Sequence, residues 1–296
     1  ALMSEVELLS RQPAVAGRFY PAGAEALRQQ VQACLDAAPV PPAGVACPRA
    51  LIAPHAGYPY SGPTAAQAHA LLAAHRPQLW RVVLLGPSHH VAFTGLALTS
   101  ADAYHTPLGD IPLDKAGASR LAALPGVRVL DQAHIPEHSL EVQLPFLQEV
   151  LGEFTLLPIV TGAAAPEAVA AVIREFQADE GTVFVISSDL SHYRDDKAAR
   201  HLDEATRIAV EQLEPDAVGD DQACGRVALR GLLLAAKQLN WRVETLALCN
   251  SGDTTGDRER VVGYGAWAFY VDQARPEKLS SSDRDTLTSI AWASIR

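Results

Sequence analysis

Three histidine-bearing loops in this chain each follow the same kind of segment. Val82-Val83-Leu84-Leu85 runs without a polar break, stops at Gly86-Pro87-Ser88, and delivers His89 and His90. Leu51-Ile52-Ala53 leads through Pro54 to His55, and Val183-Phe184-Val185-Ile186 leads through Ser187-Ser188-Asp189 to His192. Neutral imidazole is a common ligand of zinc, iron and copper, and histidine exchanges protons near neutral pH. A single such loop carries little information. Three of them would set their imidazoles along one edge of one sheet, where they can converge on an ion or substrate. Spacing leaves open whether His89 or His90 takes the ligand position.

The segments that must position these side chains are legible from their patterning. A short apolar run bounded by turn residues reads as a strand buried on both faces, and such strands belong to parallel sheets covered by helices. In an open α/β sheet, ligands bind beyond the carboxyl ends of the strands, which is where these histidines fall. Around them, helices are expected over 24–37, from Ser61 through Leu72, over 134–151, 166–176, 195–212 and 224–239. Further strands are expected over 154–160, 243–248 and 261–271, with a hairpin insertion built from 95–99 and 104–112, and Ala16 to Ala22 forms a loop packed near the site. The result is an α/β fold, a three-layer α/β/α sandwich with a central, mostly parallel sheet.

Two further residues enter as candidates. Cys224, followed by Gly225-Arg226, stands at the start of an expected helix, whose partial positive charge favours thiolate, a soft metal ligand; the bland alternative is a small buried apolar residue. Cys249, at the end of a strand, is the other cysteine to weigh. Asp189, three residues before His192, either orients an imidazole or caps the turn. His69, His75 and His201 lie in expected helices as surface or satisfied residues, while His105 and His134 in loops stay unassigned.

The bulk properties narrow the class. The 296 residues are 48% hydrophobic and 20% charged, with a formal net charge of −10, as in an ordinary globular chain. An acidic balance disfavours nucleic acid and anionic membrane surfaces as partners. No apolar run reaches the roughly 18–20 residues a spanning helix needs. A secretory signal is not visible, and the four cysteines form no CxxC pair, so a reduced, cytoplasmic chain is expected. Nucleotide phosphate motifs are missing too. Met3, the sole methionine, is the expected translation start, with Ala1 and Leu2 preceding it.

Ala53-Pro54-His55-Ala56-Gly57-Tyr58, Leu85-Gly86-Pro87-Ser88-His89-His90, Glu137-His138-Ser139-Leu140-Glu141, Ser187-Ser188-Asp189-Leu190-Ser191-His192 and Cys224-Gly225-Arg226 together resemble the motifs of the Memo family, whose bacterial and archaeal members are called AmmeMemoRadiSam system protein B. The resemblance runs from about Val15 to Val271. It implies a single domain, 1–275, similar in fold to the extradiol ring-cleaving dioxygenases that use non-haem iron. It implies that His55, His89 and Cys224 bind the metal and that His192 lies beside them, where the related dioxygenases keep a catalytic base; apart from the resemblance, the metal is expected to be iron or copper with zinc as the alternative, and Asp189 is the carboxylate expected beside His192. Cysteine stands here where the related dioxygenases keep a carboxylate, which alters the softness and redox behaviour of the site and argues against simple ring cleavage. Residues 276–296 are similar to the opening of an AMMECR-type domain, which implies AMMECR-type and radical SAM proteins as partners; an ordinary C-terminal helix is the alternative.

Three functions compete. The first is a metal-dependent redox enzyme acting on a small-molecule substrate, with His192 moving protons. The second is a non-catalytic module that takes a peptide or partner protein in the same cleft. The third is a metal hydrolase whose bound water is the nucleophile.

Overall fold

The structure, a computed structural model, describes residues 9–272; the expectations for Met3 and for the 276–296 tail lie outside the described residues. The chain runs β1 (Ser10–Arg11), α1 (Ala24–Ala37), β2 (Ala50–Ala53), α2 (Tyr58–Ala73), β3 (Arg81–Pro87), β4 (Leu96–Leu98), β5 (Ala103–Thr106), β6 (Gly109–Pro112), α3 (Lys115–Leu121), β7 (Val127–Val129), α4 (Asp131–His134), a 3-10 turn (Glu141–Gln143), α5 (Leu144–Leu151), β8 (Thr155–Thr161), α6 (Pro166–Phe176), β9 (Thr182–Ser187), β10 (His192–Arg194), α7 (Asp196–Glu211), α8 (Arg226–Gln238), β11 (Trp241–Asn250), α9 (Gly252–Thr255) and β12 (Val261–Val271).

The central strands alternate between two apolar layers, as a period of two dictates. Leu51, Ala53, Val82, Leu84, Val183, Val185 and Ala268 face one core with Leu27, Val31, Leu72 and Phe146 of α1, α2 and α5. Ile52, Val83, Leu85, Phe184, Ile186, Trp267 and Phe269 face the other, against Val169 and Ile173 of α6 and Leu229 and Leu233 of α8. Covering both faces makes three layers, and it explains why these strands read as unbroken apolar runs.

The main sheet has the order β10-β12-β2-β9-β3-β8-β4-β7, with β11 paired to β12. It is mixed rather than mostly parallel. β2, β9, β3 and β8 run parallel, as do β4 and β7, but β10, β11 and β2 each pair antiparallel with β12, and β4 pairs antiparallel with β8. The physical reason is connectivity: β11 and β12 are joined by a short polar link, and β4 follows β3 through a loop, so neither has the helical crossover that a parallel neighbour requires. The expected hairpin insertion splits in two. Its first part is β4, inside the main sheet; its second is the β5–β6 hairpin, which forms a separate three-stranded sheet with β1.

Helix boundaries carry three corrections. α2 begins at Tyr58, three residues before the expected start, because Pro59 already fits the first turn, and Pro63 lies inside the helix. The stretch read as one helix from His134 is broken: α4 ends at His134, Pro136 follows, and α5 begins only at Leu144 with Pro145 in its first turn. α8 begins at Arg226 with Gly225 as its cap, so Cys224 precedes the helix rather than opening it.

Candidate metal centre

β2, β9 and β3 are adjacent and parallel, so their carboxyl ends open onto one edge, and His55, His192 and His89 emerge there. Two glycines let neighbouring segments close over this edge. A Cβ at Gly86 would sit 2.8 Å from Ser139 Oγ and 2.9 Å from Leu140 Cδ2, so its absence lets the 137–141 segment press against the end of β3. A Cβ at Gly225 would sit 2.7 Å from the Ser187 carbonyl oxygen, so Cys224 can be carried up to the end of β9.

His55, His89 and His138 converge: one ligand nitrogen from each lies within 4.8 Å of the others. The ring centroids are 5.2 Å apart for His55–His89, 5.6 Å for His55–His138 and 4.5 Å for His89–His138. His55 is buried, while His89 remains reachable from solvent. Burial, followed by the charges of His89 and His138, pulls the His55 pKa well below the ordinary histidine range. The same two causes, burial and the charge of His89, bring His138 down to about 4. Both rings are therefore neutral at physiological pH, with lone pairs free for a cation.

Glu137 organises the second and third rings. Its Oε1 accepts from His89 Nδ1 at 2.8 Å and from the backbone amides of His138 and Ser139 at 2.9 and 2.8 Å; its Oε2 accepts from the His89 amide at 2.6 Å. Burial alone would raise this carboxyl, but the bonds and charge of His89 hold it well below the usual carboxylate range. With His89 Nδ1 committed as a donor, its Nε2 is left as the lone pair. Such carboxylate–imidazole pairs are the usual outer support of metal-bound histidine. Phe19 packs on His138 with centroids 4.8 Å apart, so the Ala16 to Ala22 loop does border the site.

Asp189 holds backbone rather than a ring. It accepts from the His55 amide at 2.7 Å and also from the Ala56 amide. Burial raises its carboxyl to about 6 against the pull of those bonds. Cys224 Sγ lies 3.3 Å from His55 Nε2 and accepts from the Asp189 amide at 3.3 Å. Burial, then the Asp189 charge, push this thiol up, the opposite of the expected helix-terminus effect; Cys224 stands outside the helix, and desolvation wins. His192 donates from Nδ1 to the Leu190 carbonyl at 2.8 Å, leaving its Nε2 as the acceptor, and it is close enough for its charge to oppose protonation of His55. His90 is exposed at the rim. Cys249 instead pairs with Thr64 Oγ1 at 3.0 Å.

Among the sequence candidates, the structure thus brings His55, His89, Cys224, Asp189 and His192 to one edge. His138 was missed because no strand precedes it. The available signal was its neighbour Glu137, an acidic residue beside a histidine in a proline-bounded loop.

The residues fit a first-row cation. Three imidazoles are a donor set of the kind found around zinc, copper and iron. Ligands of one ion, bonded at about 2.0–2.3 Å, sit roughly 3–4 Å apart, and the 3.3 Å between Cys224 Sγ and His55 Nε2 matches such a pair. No described helix is long and apolar enough to cross a membrane.

The chain is similar to known proteins over most of its length. A MEMO1 family protein of Methanopyrus kandleri is 36% identical over 287 residues, covering 88% of this chain and 99% of the relative. MEMO1 family proteins of Aquifex aeolicus and Nitrosopumilus maritimus are 36% and 32% identical over 270 and 274 residues, again covering 88% of this chain and 98% and 99% of theirs. The family model for Memo-like proteins matches residues 11–268, which takes in the histidine loops, the Glu137 segment and Cys224, and the chain belongs to the Memo family.

Proposed function

We propose that this protein is a metal-dependent redox enzyme acting on a small organic substrate, with iron or copper held by His55, His89 and Cys224 and with His138 as a further donor. The observation that carries this reading is the convergence of three imidazoles in which Glu137 takes the Nδ1 side of His89, so its Nε2 faces the cluster. The bound ion would supply one-electron and oxygen chemistry. His192, with Nδ1 committed to the Leu190 carbonyl, accepts a substrate proton at Nε2. Asp189 keeps the His55 backbone fixed while this happens. The exposed side of His89 leaves the substrate an approach to the centre from solvent.

A second reading, metal-dependent hydrolysis, is favoured by one feature: three imidazoles are also a donor set of catalytic zinc, which lowers the pKa of its water to about 7. Elemental analysis of protein purified without chelators or an affinity metal column separates the two. Iron or copper with oxygen consumption supports the redox reading, whereas zinc with ester or amide turnover replaces it. His192→Ala should keep the metal and lose turnover; metal loss in that variant would remove His192 from the role of base.

A further inference from the structure

One arm of the centre has a feature that the metal reading does not use. His55 Nδ1 lies 2.8 Å from Ser187 Oγ. That hydroxyl has two other partners, and neither can change its role. The Ser139 carbonyl oxygen, 2.6 Å away, can only accept. Gln143 Nε2, 2.8 Å away, can only donate, because the same nitrogen points at the Pro54 carbonyl at 2.9 Å and the Ala53 carbonyl at 3.3 Å. A flipped amide would set its oxygen against those carbonyls. The other end of the Gln143 amide is fixed as well: Oε1 accepts from His69 Nε2 at 2.8 Å. His69 is fully buried in α2 and stacked on Phe146 with centroids 5.4 Å apart, and among the described residues its Nδ1 has no partner, so its side chain is held by the bond to Gln143.

The proton count then closes. Ser187 has a single hydroxyl proton, which goes to the Ser139 carbonyl. Its remaining lone pairs receive Gln143 Nε2–H and the His55 ring. The ring can satisfy that acceptor only by carrying its proton on Nδ1. We propose that Ser187 and Gln143 are positioning residues that hold His55 as the Nδ1–H tautomer and thereby present its Nε2 lone pair to the metal. This rests on the reading of His55 as a ligand. The relay on His55 is an uncharged hydroxyl, where that on His89 is a carboxylate.

The test is imidazole nitrogen NMR on the metal-free protein, together with zinc(II) titration against a chromophoric chelator, for wild type and Ser187→Ala. Wild-type His55 should show the proton on Nδ1. Ser187→Ala should show a mixture of tautomers and bind zinc about 10–100-fold more weakly, the usual loss when an outer partner of a ligand is removed, with an unchanged far-ultraviolet dichroism. A wild-type proton on Nε2, or a Ser187→Ala protein with unaltered tautomer and affinity, overturns the proposal. If Ser187→Ala does not fold, the wild-type shifts alone decide the tautomer. Wild-type protein that binds no zinc, iron(II) or copper(II) removes the ligand reading instead, and the nitrogen shifts separate that failure from this one.

Discussion

Two buried histidine environments lie at either end of the five-residue stretch Glu137–Glu141, and they are built to opposite specifications. At one end, Glu137 serves the His55–His89–His138 cluster. At the other, Glu141 is fully buried and pairs with Arg11, while also accepting from the Ala14 and Val15 amides at 2.7 and 3.0 Å and from the Tyr20 hydroxyl at 2.6 Å. Arg11 in turn donates from Nε to the His134 carbonyl at 3.0 Å and from Nη2 to the Glu137 carbonyl. His134 belongs to this second knot and is satisfied at both nitrogens: Nε2–H donates to the Ala97 carbonyl at 2.9 Å, and Nδ1 accepts from the Tyr104 hydroxyl at 2.6 Å. The site histidines His55 and His89 have one nitrogen tied and one turned inward. Burial alone therefore does not mark a ligand. A histidine with both nitrogens spent on protein holds the fold, and one with a free lone pair facing its neighbours can hold a cation.

This contrast predicts that changes in the knot should unfold the protein, and changes in the centre should empty it. The largest effect belongs to Glu141→Gln, which strands the buried Arg11 charge. Loss of one partner of a buried pair costs about 3–5 kcal/mol, so chemical denaturation should show a drop of that size, while the folded fraction keeps its metal. A drop under 1 kcal/mol would erase the distinction. His134 comes next. Burial lowers its pKa to about 4 from an unfolded value of 6.5. The folded state then binds fewer protons than the unfolded one, so this contribution is complete above pH 6.5 and is lost as pH falls toward 4. That is about 3 kcal/mol over the interval. His134→Gln should flatten the stability profile between those two values relative to wild type, and parallel profiles would show that His134 does not titrate in this way.

At the centre, Cys224→Ser should lower metal affinity by more than about 100-fold, above the range for outer partners, with dichroism unchanged. Full metal retention would falsify the ligand assignment. Glu137→Gln should cost roughly 10–100-fold in affinity, because the neutral amide still accepts from His89 but no longer supports it with charge; an unchanged affinity would reduce Glu137 to a loop anchor. Cys249→Ser should have the smallest effect, with metal content near wild type, since Cys249 pairs with Thr64. Loss of metal in that variant alone would move the sulfur ligand there.

The sequence by itself determined the elements whose signal is local. Helices 24–37 and 166–176 and strand 261–271 form over those same residues, because apolar periodicity, a proline in the first turn and a β-branched start each act within a few residues. It also determined that His55, His89 and His192 would share an edge, since parallel strands align their carboxyl ends. Tertiary structure alone decided the rest. β12 lies antiparallel between β10 and β2, and β4 antiparallel against β8, because those pairings depend on partners far along the chain. His138 joins the cluster through Glu137 and the close approach allowed by Gly86, neither of which follows from spacing. The Cys224 thiol is raised rather than lowered because Gly225 brings it under the sheet edge, where desolvation outweighs a helix terminus that begins two residues later. Local propensity acts through the nearest residues in sequence, whereas burial and hydrogen-bond partnership are set by residues that become neighbours only when the chain has closed.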